Sequence, residues 1–481
     1  MKHIIYFLCL FICSSLWIQA QQDDDDWHIR QQRLLDILDT NQYFDAKAYY
    51  NTLKIKGDTL HPFIECFYNR HAANFLNKPD SAARYLNELL TKYGPFGIGA
   101  TFYFYYQLWK LYAETLQDYE KALETCERIK AYLEENPERA DEDLLNEWTE
   151  YTLSWEKQTR RRAAEPTIRI FRDSSKNSLP LTGDGIDFVI FEAEYNGKKR
   201  IKTGFDTGVT EFFVIDKDMA EQIGVRKYPI YDNDTIVTFN GMETSGYPGI
   251  LDSVRIANIR LYHIPVMVVD RSALMNVSDS TSISSEKKDE LELFFQSFDI
   301  IMGLPTMNLI GKIAPDIKNR ELHFPPEETN TCNDKEPNLF LFMNKLFTQA
   351  SINDLPFTAF IDTGASDYVT IDSEFYEKNR EQIPIDSSQK KKPLNIAMLH
   401  NIRYDIPHEI ADNPILTWNG HCVHPGENDK VCIYSLQDWE KAYSEITEGV
   451  LGYNFFKALK GKIVFDFKNM RLEVQQERQN D

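Results

Sequence analysis

The stretch GFDTGVTEFFVI, residues 204–215, is matched later in the chain by AFIDTGASDYVTI, residues 359–371. Each holds an Asp-Thr-Gly triplet, Asp206-Thr207-Gly208 and Asp362-Thr363-Gly364, preceded by an aromatic or apolar residue (Phe205, Ile361). Each has a hydroxyl residue four positions after the Asp (Thr210, Ser366), then an apolar run with strand character, Phe212 to Ile215 and Tyr368 to Ile371. One triplet alone carries little, since average composition produces it in roughly one chain in ten of this length. Taken singly it is also an ordinary turn, with Asp bonding its own backbone and Gly supplying positive φ. Two copies in matching contexts say more. Two carboxyls presented by copies of one turn are what a hydrolase working through paired carboxylates needs.

The repeat extends downstream. DIIMGLPTMNLIGKIAPDIKNRELHF (299–324) places Gly303 at 97 residues after Asp206, and EGVLGYNFFKALKGKIVFDFKNMRLEV (448–474) places Gly452 at 90 after Asp362. Behind these glycines, Asp316-Ile317-Lys318-Asn319 matches Asp466-Phe467-Lys468-Asn469. Both stretches read as a buried apolar strand, a Gly, a short helical turn, then strand-turn-strand closing on Lys-Asn. An internal duplication of this kind organises the whole second part of the chain.

With both halves of the repeat in view, residues 166–476 resemble the aspartic peptidases, most of all the bacterial retropepsin-like group fused into two lobes as in the pepsins. The resemblance implies an all-β, two-lobed fold in which each lobe gives one Asp. Asp206 and Asp362 are then the catalytic dyad, with Ile301-Met302-Gly303 and Val450-Leu451-Gly452 packed behind the two loops. It also implies that Thr207 and Thr363 tie the lobes together beneath the dyad. Independently of family, Gly208 and Gly364 let the backbone turn tightly beside a carboxylate, where a Cβ would hinder approach. Two adjacent carboxyls share one proton and titrate as a coupled pair. No metal, cofactor or covalent intermediate is required. Pepsin-like loops usually carry a hydroxyl after the Gly and retroviral-type loops an Ala; here Val209, bulkier than either, and Ala365 stand there, which implies fewer donors to the ionised form and a raised apparent pKa.

Asn240-Gly241, between strand-like runs, signals a hairpin. By resemblance this is a flap that closes over substrate, with Tyr247 as its candidate aromatic. The corresponding stretch of the second lobe, 390–447, shows no clear flap signature.

Met1-Lys2-His3, the apolar run Ile4 to Trp17 and a cut after Ala20 read as a secretory signal peptide over 1–20. An exported protein, periplasmic or secreted, is expected, with no membrane span. Export permits disulfides. Cys422 and Cys432 flank the turn-rich VHPGENDKV and are the best pair; Cys66 and Cys126 are a second option, leaving Cys332 over. His421, Cys422, His424 and Cys432 lie too close in sequence for the usual zinc spacing, so no metal site is assigned. The net charge of −21 and pI near 5.0 argue against nucleic acid or an anionic membrane as partner.

Residues 27–157 are helical in pattern throughout. YFDAKAYYNTL, PDSAARYLNELL and DYEKALETCERI align on Ala46, Ala82 and Ala122 at spacings of 36 and 40, which resembles a degenerate tetratricopeptide array able to hold a protein partner. The basic run 158–165 reads as a linker and 325–337 as the join between lobes 166–324 and 338–476. The expected fold class is therefore multidomain, an N-terminal all-α helical repeat followed by an all-β two-lobed aspartic-peptidase fold. The expected function is an aspartic endopeptidase acting on peptide or protein substrates. The rival is a scaffold with the same fold that holds peptides without cutting them.

Overall fold

The computed structural model describes residues 25–475 apart from 95, 138–139, 184–186, 229–236, 240–241, 245, 271–292, 295, 327–335, 387–393, 399–400, 427–428 and 437–445. The predicted leader, Cys332 and the flap turn Asn240-Gly241 lie outside the described residues. The chain divides after Thr167 into a helical unit and a β-rich unit.

In the helical unit the helices are α1 Asp25–Asp39, α2 Tyr43–Ile55, α3 Pro62–Phe75, α4 Pro79–Glu88, α5 Ile98–Lys110, α6 Tyr119–Glu135 and α7 Glu142–Ala163. α4 and α5 run on into wider π-type turns, Leu89–Tyr93 and Leu111–Leu116. Prolines at the first helical position start α3 and α4, where the missing N–H costs nothing. Asp118 and Asp141 cap α6 and α7 through their side chains. The pairs α1/α2, α3/α4 and α5/α6 share one turn: Asn41, Asn77 and Gln117 adopt left-handed φ values of 57°, 56° and 53°. Each stands five residues before Ala46, Ala82 or Ala122, and all three alanines are buried. The repeat is thus one of geometry as well as sequence: a left-handed turn, then a helix whose methyl-sized residue admits a close neighbour. Aromatic stacking fills the interior, with Phe102 on Trp148 at 4.6 Å and Trp109 on Trp155 at 5.1 Å.

One boundary differs from the sequence reading. The predicted linker 158–165 is helical up to Ala163, as the end of α7. Arg160 pairs with Glu156 one turn back at 2.6 Å, and Thr159 accepts a hydrogen bond from the Trp109 indole at 2.9 Å. A basic last turn also suits the negative end of a helix dipole, so the charge run that read as linker is a helix C-terminus.

The β-rich unit has two lobes built alike. In the first, the strand Lys198–Phe205 leads to Asp206 and Phe213–Asp216 leaves the loop; Ile300–Met302 lies between them, parallel to the former and antiparallel to the latter. In the second, Leu355–Ile361, Val369–Asp372 and Gly449–Leu451 repeat this arrangement. Among the described residues these trios belong to an eight-stranded and a nine-stranded sheet. A third, five-stranded sheet takes strands from both lobes, with Lys312–Asp316 antiparallel to Lys462–Asp466 and a Lys312–Asp466 ion pair of 3.2 Å across the join. The two Asp-x-Lys-Asn turns close on that sheet in the same way. Asn319 donates its backbone and side-chain N–H groups to Asp316 at 2.9 and 3.0 Å, and Asn469 does so to Asp466 at 3.1 and 3.0 Å.

Each lobe also carries a two-stranded hairpin. Val237–Phe239 pairs with Met242–Thr244, starting 31 residues beyond Asp206. Leu394–Met398 pairs with Asn401–Ile406, starting 32 residues beyond Asp362. The second hairpin sits in the stretch where the sequence shows no signature. Tyr247 lies outside the first hairpin, in the long strand Gly246–Ile256 opposite Val268, with the Lys227 ammonium 4.9 Å from its ring centre.

The cysteine expectations are corrected. Cys422 and Cys432 are free thiols. They sit on His421–Val423 at one end of the nine-stranded sheet and on Val431–Tyr434 near its other end, with five strands between them in sheet order. The turn-rich segment between them passes from one end of that order towards the other. Cys66 and Cys126 are also free and lie in separate core clusters. Among the described residues no group of three or more His, Cys, Asp or Glu could hold a metal, and no helix is long and apolar enough to cross a membrane.

Candidate active site

The two Asp-Thr-Gly loops meet where the lobes join. Asp206 N donates to Met302 O and Asp362 N to Leu451 O, both at 3.1 Å, so each Asp is pinned to the strand that ends in Gly303 or Gly452. Those glycines are required by packing. A Cβ on Gly303 would stand 2.1 Å from Glu211 O, and one on Gly452 would stand 2.1 Å from Asp367 O. Beyond them Leu304 N donates to Val209 O at 2.9 Å and Tyr453 N to Ala365 O at 2.7 Å. The sequence folds each loop the same way because every one of these bonds runs through backbone, leaving only the glycines fixed by size.

Beneath the carboxyls, Thr207 and Thr363 are buried, and each backbone N–H donates to the other's Oγ1 at 3.0 Å. The Thr207 hydroxyl donates to Ile361 O at 2.8 Å and the Thr363 hydroxyl to Phe205 O at 3.2 Å. Each threonine therefore bonds the opposite lobe's backbone as well as the opposite threonine. The glycines next to them face the opposite carboxyl. A Cβ on Gly208 would approach Asp362 Oδ1 to 2.6 Å, and one on Gly364 would approach Asp206 Oδ2 to 2.2 Å.

The Asp206 and Asp362 carboxyls thus lie close together, each within the electrostatic reach of the other. Gly208 N donates to Asp206 Oδ1 at 2.8 Å; Gly364 N and Ala365 N donate to Asp362 Oδ1 at 2.9 and 3.2 Å. Each residue keeps some accessible surface, yet dense protein surrounds both carboxyls. Burial, then the charge of Asp362, holds Asp206 well above the ordinary carboxyl range. Burial also raises Asp362, but the Gly364 N–H, the Asp206 carboxyl, the Ala365 N–H and the Lys345 ammonium all pull it back. The fixed surroundings of the pair are unequal: two backbone N–H groups reach Asp362 Oδ1 and one reaches Asp206 Oδ1.

Val209, bulkier than its counterpart Ala365, is buried against Phe188, Ile190, Val214 and Ile301. Its side chain belongs to the core of the first lobe. Two acids that the sequence reading passed over stand five residues beyond each Asp. Burial raises Glu211 to about 7, against the Thr210 hydroxyl that bonds it at 3.1 Å. Burial and the charge of Asp362 raise Asp367. Their shared offset was visible in the sequence as Glu and Asp at equal positions.

A surface with one buried, proton-sharing carboxyl pair, held by symmetric backbone bonds, can take a proton from a water and give one to a carbonyl oxygen in the same step. Residues 191–289, which follow through the first Asp loop and hairpin, match the aspartyl protease family. No curated protein matches the chain. The family match supports an aspartic protease domain in the β-rich part of this protein.

Proposed function

We propose that this protein is an exported aspartic endopeptidase that hydrolyses peptide bonds with Asp206 and Asp362 as the general acid and base. One observation carries the reading: two carboxyls on equivalent loops, each set against the opposite loop's glycine, meet over a reciprocal threonine pair. Water's oxygen bonds to the peptide carbonyl carbon as its proton passes to the ionised Asp. The protonated Asp passes its proton to the carbonyl oxygen, giving a neutral tetrahedral diol. As the diol collapses the C–N bond breaks, the protonated Asp gives its proton to the leaving amine and the ionised Asp takes one from a diol hydroxyl, so the pair regains its starting charge. Thr207, Gly208, Thr363, Gly364, Gly303 and Gly452 serve this chemistry by holding the carboxyls together. The hairpins at 237–244 and 394–406 are a cover for substrate contributed by both lobes, an arrangement that would exclude water during the step.

The predicted leader supports export to the periplasm or beyond. The geometric repeat of α1 to α6 supports a tetratricopeptide-like unit, whose role in this reading is to recruit protein substrates or partners. Purified protein lacking the leader, incubated with an unfolded protein on the acid side of neutral, should release internal fragments. Intact substrate across that range would contradict the reading.

A further inference from the structure

The two carboxyls have different neighbours on the sheet. In the second lobe Phe347 pairs with Phe360 across the antiparallel strands Lys345–Ile352 and Leu355–Ile361. Continuing that register by two residues sets Lys345 opposite Asp362. In the first lobe Ile190 pairs with Gly204, and the same two steps set Phe188 opposite Asp206. Lys345 and Phe188 are therefore counterparts, and they are 9% and 4% exposed. Directly opposed residues of an antiparallel pair share a face and lie within side-chain reach.

The packing around them is exchanged between lobes. The Phe188 ring lies over Gly204, where a Cβ would come within 2.3 Å of it. In the second lobe the residue equivalent to Gly204 is Phe360, and the Lys345 ammonium lies 5.7 Å from the centre of its ring. Aromatic over glycine in one lobe becomes lysine over aromatic in the other. The swap leaves a cation beside one carboxyl and a hydrocarbon ring beside the other. Charged neighbours on the packed elements are Asp206 across the join, Asp367 on the same loop with His408 facing it, and Glu211 on the first loop.

We propose that Lys345 is a positioning residue that fixes where the dyad's single negative charge rests, holding it on Asp362 and leaving the proton on Asp206. This rests on the peptidase reading, which it deepens: Asp362 is then the base toward water and Asp206 the acid toward the carbonyl. Burial, opposed by the charge of Asp362, lowers the Lys345 ammonium to about 8, so it stays cationic through the acid range.

An aryl-ether epoxide alkylates carboxylates and spares carboxylic acids. Peptide mapping by mass spectrometry after reaction near about pH 5 therefore reports which Asp is charged, with no need for turnover. The full chain should be labelled at Asp362 over Asp206 by about tenfold or more, the ratio that a one-unit difference gives. Lys345→Met should bring the ratio toward one, and Lys345→Arg should keep it. Exchange of a buried ion for a well-packed apolar chain is often neutral for folding, and Lys345→Gln replaces the Met variant if that fails to fold. In the rate profile, loss of the cation should move the acid limb to higher pH by about one unit. Label chiefly on Asp206, label on neither residue, or an unchanged ratio in the folded variant would overturn the proposal. A chain that cleaves nothing would contradict the peptidase reading alone, since the labelling ratio stands without it.

Discussion

Thr207 and Thr363 each donate a backbone N–H to the other's hydroxyl at 3.0 Å, across the join between the lobes. Each hydroxyl in turn donates to the strand of the opposite lobe, so four hydrogen bonds close a small buried ring. The ring sets the distance between the two Asp loops from below. Removal of one hydroxyl leaves the partner's buried N–H and the facing carbonyl without their bonds, which is costlier than losing both members of a pair.

Thr207→Ala and Thr363→Ala are accordingly expected to lower the stability of the β-rich unit by about 1–3 kcal/mol each. Thr→Ser at either position, which keeps the hydroxyl, should cost less. Urea unfolding followed by tryptophan fluorescence reads both effects. Equal costs for Ala and Ser would show that the methyl group, and not the hydrogen bonds, is what matters.

Gly364→Ala tests the closeness of the carboxyls. Its Cβ would stand 2.2 Å from Asp206 Oδ2, so one of the two loops must shift. A displacement of about 1 Å in a positioned group costs on the order of a hundredfold in rate, and peptide cleavage by this variant should fall by at least that much. Its circular dichroism should remain that of the parent. Cleavage within a few-fold of the parent would mean that the loops tolerate separation.

Much of this site was legible because its chemistry constrains backbone. A glycine facing a carboxyl, another against a neighbouring carbonyl, and an Asx turn closing a strand pair each leave a residue type that cannot be exchanged freely. Gly208, Gly364, Gly303, Gly452 and the Asp-x-Lys-Asn turns are of this kind. Lys345 was not legible, since a lysine two residues after an Asn-containing apolar run reads as surface until the strand register sets it opposite Asp362. The hairpin at 394–406 lacks the Asn-Gly signal of its first-lobe counterpart. Cys422 and Cys432 are near in sequence, but their strands stand towards opposite ends of the sheet order. Arg160 to Arg162 carry the charge of a linker and the geometry of a last helical turn.

The helical unit has an acid-sensitive element in α3. His71 is buried, its Nε2 3.1 Å from the Arg70 guanidinium; burial and then that cation lower it to about 3. An unfolded chain would protonate this histidine near its usual value of about 6.5. Between those limits the unfolded state binds the extra proton, so stability rises with pH and is lost as pH falls from about 6.5 toward 3. His71→Gln should flatten that part of the stability curve, measured by thermal melts across the range. An unchanged slope would place the acid sensitivity elsewhere.

If the helical unit recruits substrates, a chain starting near Pro166 should cleave a short peptide at the rate of the full protein and a folded protein substrate more slowly. A gain on both substrates would indicate that the helical unit restrains the enzyme, and recruitment would be wrong.

The most direct measurement is peptide cleavage by Asp206→Asn and Asp362→Asn beside the parent, across pH. Each carboxyl has a role that the other cannot fill while it is occupied with its own. Both variants should therefore lose activity to background while keeping the parent's circular dichroism. The parent should show a bell-shaped profile: activity is lost at low pH as both carboxyls protonate, and again at higher pH as the raised Asp206 gives up its proton. Appreciable cleavage by either single variant would contradict the dyad, whatever the parent's rate.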